Sequence, residues 1–171
     1  MVDLKVLLSE EEIQKRLGEL AKEIDEYYQG KEIIVLCVLR GAIYFMVDLT
    51  KKMITPMQPD FIRLASYEGT ETTGKINILD DLKEDIKGKN VLVIEDIIDT
   101  GYTLKFLKEY LLEKEPADLK IAVLADKKER REVEVNVDFV GFEIPNKYIV
   151  GYGFDYNNSC RNLTYIGYIE N

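Results

Sequence analysis

The sequence predicts an α/β protein with a mostly parallel central sheet, helices on both faces, and a small β-rich subdomain near the C-terminus. Three observations predict it. Short apolar runs rich in branched residues, such as Ile33–Leu39, Val91–Ile94 and Leu119–Leu124, have the pattern of strands buried on both faces. These runs alternate with segments of helical periodicity, which supply the crossovers that parallel strands require. The 171 residues contain no repeat, low-complexity tract or linker, so residues 1–171 read as a single domain.

Each element follows in order. Ser9-Glu10-Glu11-Glu12 is a capping-box signal, and Ile13, Leu17, Leu20 and Ile24 then recur at helical spacing, with Gly30 as the expected stop. Ile33–Leu39 is the first buried strand, Arg40-Gly41 punctuates it, and Ala42–Leu49 is apolar enough for a buried helix. Phe61–Tyr67 reads as a second strand entering a polar Gly- and Thr-rich loop, with a return over Lys75–Leu79. Val91–Ile94 is the third buried strand. Leu104, Leu107, Tyr110 and Leu111 mark the helix after it, which ends near Glu115-Pro116. Leu119–Leu124 and Phe139–Phe142 are the next strands, and Tyr148–Val150 with Thr164–Ile169 suggest the small β-rich subdomain.

Composition narrows the chemistry. A hydrophobic fraction of 46% and a charged fraction of 32% describe an ordinary globular protein. No apolar run approaches the ~18 residues a membrane helix needs, and Met1-Val2-Asp3-Leu4-Lys5 lacks signal-peptide character. The expectation is a cytoplasmic protein that does not engage a membrane. A formal net charge of −9 argues against nucleic acid as the main partner. Cys37 and Cys160 lack metal-site spacing. The chain has no histidine, which removes Ser-His-Asp and Cys-His catalysis and leaves proton transfer to carboxylates, lysine or tyrosine.

The most telling segment runs from Val91 to Thr103. An apolar strand delivers the adjacent acids Glu95 and Asp96, and Asp99-Thr100-Gly101-Tyr102-Thr103 follows at the mouth of a helix. A carboxylate accepts well from vicinal hydroxyls, and a divalent magnesium ion also suits the pair. Gly101 lets backbone amides approach an anion closely, the helix N-terminus adds partial positive charge, and Thr100 and Thr103 add hydroxyl donors. An isolated acid pair is more often a solvated loop, and an isolated Asp or Thr at a helix start is more often a plain cap. The thirteen-residue combination favours a sugar-phosphate cradle.

This segment resembles the phosphoribosyl pyrophosphate (PRPP) loop of the type I phosphoribosyltransferases. The resemblance extends over nearly the whole chain and is strongest to the 6-oxopurine branch, through Leu39-Arg40-Gly41, Ser66-Tyr67, Lys127, Phe139–Pro145, Lys147–Tyr152, Asp155-Tyr156 and Arg161. It implies the family's fold, with a hood formed by C-terminal and N-terminal segments. It also implies transfer of the phosphoribosyl group from PRPP to hypoxanthine or guanine, releasing pyrophosphate. Glu95 and Asp96 would hold the ribose hydroxyls and magnesium, and residues 99–103 the 5′-phosphate. Asp99 would also be the catalytic acid/base. Leu39, Arg40, Gly41, Ser66, Tyr67 and Arg161 would meet pyrophosphate, and in the family the Leu39-Arg40 peptide can be cis. Lys127 would donate to the exocyclic oxygen, Tyr148 would stack on the purine, Ile149 would offer backbone hydrogen bonds, and Asp155 would hold a second magnesium beside pyrophosphate and the base. Residues 66–75 would close over the site. Relatives are dimers or tetramers, so a homo-oligomer is expected.

Two rival classes fit the residues less well. A PRPP-sensing regulator without catalysis would carry a DNA-binding segment or a basic face, and this chain shows neither. A dinucleotide-binding module would want G-x-G-x-x-G after the first buried strand, where the sequence reads Leu39-Arg40-Gly41-Ala42-Ile43.

Overall fold

Six strands of one sheet carry the molecule, and their order explains where ligands can enter. The structure, a computed structural model, describes residues 3–67 and 75–170. The stretch expected to close over the site therefore falls, at residues 68–74, outside the described residues.

Strand β1 (Leu4–Leu8) precedes helix α1 (Glu10–Tyr28). The capping box forms as expected: the Ser9 hydroxyl accepts from the Glu12 amide and the Glu12 carboxylate accepts from the Ser9 amide. The helix closes on Gln29 in the left-handed conformation, with Gly30 also at positive φ. Strand β2 (Ile33–Leu39), helix α2 (Ile43–Lys52), strand β3 (Met57–Tyr67) and strand β4 (Lys75–Asp80) follow. Then come β5 (Asn90–Ile98), α3 (Tyr102–Leu112), β6 (Asp118–Asp126), a 3-10 turn at Lys128–Arg130, β7 (Phe139–Glu143), β8 (Ile149–Val150) and β9 (Ile166–Ile169).

The main sheet has the order β4-β3-β2-β5-β6-β7, parallel except for the β3–β4 pair. Alternation sorts its side chains. Ile33, Val35, Cys37, Leu92, Ile94, Ala122 and Leu124 pack under α1 and α2, whereas Ile34, Leu36, Val38, Val91, Val93, Ile121 and Val123 pack under α3. Helices thus cover both faces, as the pattern required.

Three differences from the sequence expectation matter for the site and the hood. Strand β3 begins at Met57 rather than Phe61, because β2 pairs with it from Ile33↔Met57 onward. Strand β5 does not stop at Ile94; it continues through Glu95 and Asp96 to Ile98, paired with the apolar second half of β6. Strand β1 was not foreseen. It is short and nowhere fully buried, and it exists because β9 pairs with it, Leu4↔Ile169 to Leu8↔Ile166. With β8 these strands form the separate three-stranded hood.

Candidate active site

The chain leaves β2 toward β3 on one side and leaves β5 toward β6 on the other. Open α/β sheets bind ligands in the crevice that such a reversal creates at the carboxyl ends of the strands. Pairing of β2 with β5 ends at Cys37↔Ile94, while β5 runs on beside β6 alone. Glu95 and Asp96 therefore sit where the sheet splits, within the strand rather than after it. The Leu39-Arg40 peptide at the end of β2 is cis.

Three cavities adjoin there, and Asp96 lines all of them. The largest, about 590 Å³, is bounded by Asp99, Lys127, Tyr148, Ile149, Asp155 and Arg161. The second, about 220 Å³, is enclosed by Glu95, Asp99, Thr100, Gly101 and Thr103. The third, about 300 Å³, lies among Leu39, Arg40, Gly41, Ser66, Asp155 and Arg161. Shared walls make them one compartment: Asp99 joins the first to the second, and Asp155 and Arg161 join the first to the third. The predicted site residues thus converge, with two exceptions. The Tyr102 side chain is exposed and lines none of the three. Tyr67 contributes its backbone pairing with Lys75. A separate cavity of about 440 Å³ at the opposite, amino-terminal edge of the sheet has no buried polar side chain in its lining.

The phosphate-loop geometry answers the simpler explanation of the motif. The N-cap of α3 is Gly101, at φ +99, and no side chain caps the helix. Asp99 and Thr100 are therefore not spent on capping. A Cβ on Gly101 would come 2.8 Å from the Val133 carbonyl oxygen, so only glycine fits this turn. The Thr100 carbonyl accepts from the amides of Glu132 and Val133, which ties the loop to the segment after β6.

Electrostatics mark the acid pair. Glu95 is buried, and its carboxyl is pushed well above the usual range, first by burial and then by the neighbouring Asp96 carboxylate. Burial also raises Asp96, opposed in part by Arg161. Neither acid has an ion pair among the described residues. Two adjacent carboxylates short of a cation are donors suited to a hard divalent ion. No group of three or more His, Cys, Asp or Glu residues placed to hold a metal ion occurs among the described residues. Asp155 is already engaged: Arg161 Nη2 lies 3.1 Å from Oδ1, and the Asn158 amide donates to Oδ2 at 2.8 Å.

Lys127 is not the solvated charge its neighbours suggest. It is buried, its amide donates to the Ile98 carbonyl, and burial lowers its ammonium pKa. Tyr148 keeps its ring half exposed at the mouth of the large cavity, and its hydroxyl donates to the Asp155 carbonyl at 3.1 Å. Ile149 is buried in β8. Sequence reasoning missed Arg130, Asn146, Lys147 and Phe154, which also line the large cavity. Arg130 and Arg131 were hidden in the charged run after β6; their spacing from Lys127 across one 3-10 turn was the available signal.

Comparison with known proteins agrees with this geometry. The phosphoribosyl transferase domain matches residues 4–157. A hypoxanthine-guanine phosphoribosyltransferase of Aquifex aeolicus is 47% identical over 98% of this chain and 95% of its own length. A hypoxanthine-guanine-xanthine phosphoribosyltransferase of Tritrichomonas foetus is 45% identical over 97% of this chain and 91% of its own. The crystal structure of a hypoxanthine-guanine phosphoribosyltransferase from Bacillus anthracis superimposes with a TM-score of 0.93 at 43% identity, covering 100% of both chains. Motif, sheet reversal, three-part compartment and relatives agree: this chain belongs to the phosphoribosyltransferase family, in its hypoxanthine-guanine branch.

Proposed function

We propose that the protein transfers the 5-phosphoribosyl group of PRPP to hypoxanthine or guanine, giving IMP or GMP and pyrophosphate, as a purine salvage enzyme. The carrying observation is that a phosphate-sized loop, a pyrophosphate-side wall and a purine-sized cavity meet at one carboxylate, Asp96. That layout suits a reaction in which a ring nitrogen replaces pyrophosphate at the anomeric carbon, with inversion.

Each group has a task. Glu95 and Asp96 accept from the ribose hydroxyls, and the amides and hydroxyls of residues 99–103 hold the 5′-phosphate. Leu39, Arg40, Gly41, Ser66, Tyr67 and Arg161 hold the pyrophosphate. Lys127 donates to the purine exocyclic oxygen, Tyr148 stacks on the ring, and Asp99 takes the imidazole-side proton as the glycosidic bond forms. Glu95 and Asp96, with Asp155 on the pyrophosphate side, are the residues that would hold magnesium, which when bound neutralises charge on the departing pyrophosphate. The positive charge that develops on the ribosyl carbon is met by the carboxylates around it.

The reading extends to setting. The net charge of −9 does not suit nucleic acid, no described helix is long and apolar enough to cross a membrane, and we place the protein in the cytoplasm. A dimer or tetramer is supported by the exposed Ile43, Tyr44 and Val47 on α2. The test is a PRPP- and magnesium-dependent assay with hypoxanthine, guanine, xanthine and adenine. Nucleotide should form with 6-oxopurines and not with adenine. PRPP binding without turnover on any base would instead mark a regulator.

A further inference from the structure

Asp99, the group placed to move the proton, is held by two consecutive arginines. Arg130 Nε donates to Asp99 Oδ1 at 2.7 Å, and Arg131 Nε donates to the Asp99 backbone carbonyl at 3.1 Å. Arg131 is itself anchored, because its guanidinium pairs with Asp126, a buried carboxylate at the end of β6. Backbone bonds complete the frame: Lys127 N donates to the Ile98 carbonyl, Arg130 N to the Lys127 carbonyl, and Glu132 N and Val133 N to the Thr100 carbonyl. The segment that presents Lys127 to the purine therefore also grips the peptide that presents Asp99.

The two arginines differ in what they fix. Arg131 acts on the backbone and is tied to the core. Arg130 acts on the carboxylate itself, and its side chain, 47% exposed, lines the large cavity beside Lys127 and Asp99. Among the described residues Asp99 Oδ2 has no hydrogen-bond donor, so Arg130 occupies one oxygen and leaves the other for a ligand. Among the described residues the cations around Asp99 are Arg130 and Lys127, with Arg131 behind its carbonyl, while Glu95 and Asp96 share its smaller cavity.

We propose that Arg130 is a positioning residue for the reaction: it fixes the Asp99 carboxylate so that one oxygen faces the purine imidazole edge. Resting on the phosphoribosyl-transfer reading, this adds a group that acts through Asp99 and makes no claim on the phosphate or pyrophosphate. An unfastened carboxylate samples other rotamers, and misplacing a reacting group by about 1 Å can cost about a hundredfold in rate.

The test is a double-mutant cycle on the full-length protein, measured as kcat and KM for PRPP and hypoxanthine. Arg130→Gln should lower kcat about tenfold, with PRPP KM within about twofold of wild type. Arg130→Lys should recover part of that loss. In an Asp99→Ala background the same Arg130→Gln change should cost less than about twofold, because the group it positions is gone. An equal loss in both backgrounds, a loss carried by PRPP KM, or no loss at all would overturn the proposal. Thermal melts of each variant separate unfolding from these outcomes. If the wild-type protein itself formed no nucleotide, the reaction would be wrong; if it turned over and the cycle showed no coupling, only the role of Arg130 would be wrong.

Discussion

The Asp96 carboxylate lies directly over the Cα of Gly41. A methyl group built on Gly41 would fall 1.9 Å from Asp96 Oδ2 and 3.4 Å from the Gly153 carbonyl oxygen. Gly153 in turn sits at φ +103 with its own Cβ position 2.0 Å from the Gly41 carbonyl oxygen. The backbones after β2 and β8 thus meet at Gly41 and Gly153, and the Asp96 side chain of β5 packs onto that junction.

Gly41→Ala should therefore displace Asp96 and separate the proposed sugar and pyrophosphate sites. We expect kcat/KM for PRPP to fall by about a hundredfold or more while circular dichroism remains that of the folded protein. Steady-state kinetics with varied PRPP check this.

Asp99→Asn keeps the shape of the side chain and the acceptor for Arg130 and removes the charge. Turnover should fall by about 10²–10⁴, with PRPP affinity changed far less. Single-turnover kinetics alongside PRPP titration separate the two effects. Loss of PRPP binding with turnover preserved would instead place Asp99 in the phosphate site alone.

Lys127→Met retains length and removes the donor aimed at the exocyclic oxygen. Hypoxanthine kcat/KM should drop steeply while adenine changes little, so the preference of wild type collapses by several orders of magnitude. Competition between the two bases, read by product chromatography, measures it.

Glu95 carries a pH signature in the ligand-free protein. Its folded pKa is raised above the ordinary value of 4.5. The folded state therefore binds the proton more tightly than the unfolded state, and stability falls as pH rises from about 4.5 toward the raised folded value. Glu95→Gln removes this penalty, so the variant should melt higher than wild type at neutral pH, by about 2–4 °C for each kcal/mol relieved. The difference should shrink at acidic pH. Thermal melts across that range without magnesium or PRPP test the sign.

What the sequence made legible follows from which constraints are local. The capping box at Ser9, the glycine stop after α1 and the continuous apolar run of β2 are set by neighbouring residues, and they form as read. The loop at residues 99–103 was legible because its residues are contiguous. The large cavity was harder, since Lys127, Tyr148 and Arg161 come from separate loops and each alone resembles a surface charge or a core aromatic. Arg130, buried Asp126 and the contact between Gly41 and Gly153 were missed because their meaning lies in partners distant in the chain. Strand β1 was missed for the same reason: Leu4–Leu8 becomes a strand only when Ile166–Ile169 is beside it.

That last pairing sets an order on the molecule's assembly during synthesis. Residues 33–103 contain Leu39–Gly41, the acid pair and residues 99–103, all carried by the neighbouring strands β2 and β5. The hood that carries Ile149 is closed by β9, whose partners are β8 and, some 160 residues earlier in the chain, β1. Contacts of such sequence separation form late. On the proposed roles, a nascent chain therefore presents the ribose and 5′-phosphate residues well before Tyr148, Ile149, Asp155 and Arg161, and the hood closes only with the emergence of residues 166–169.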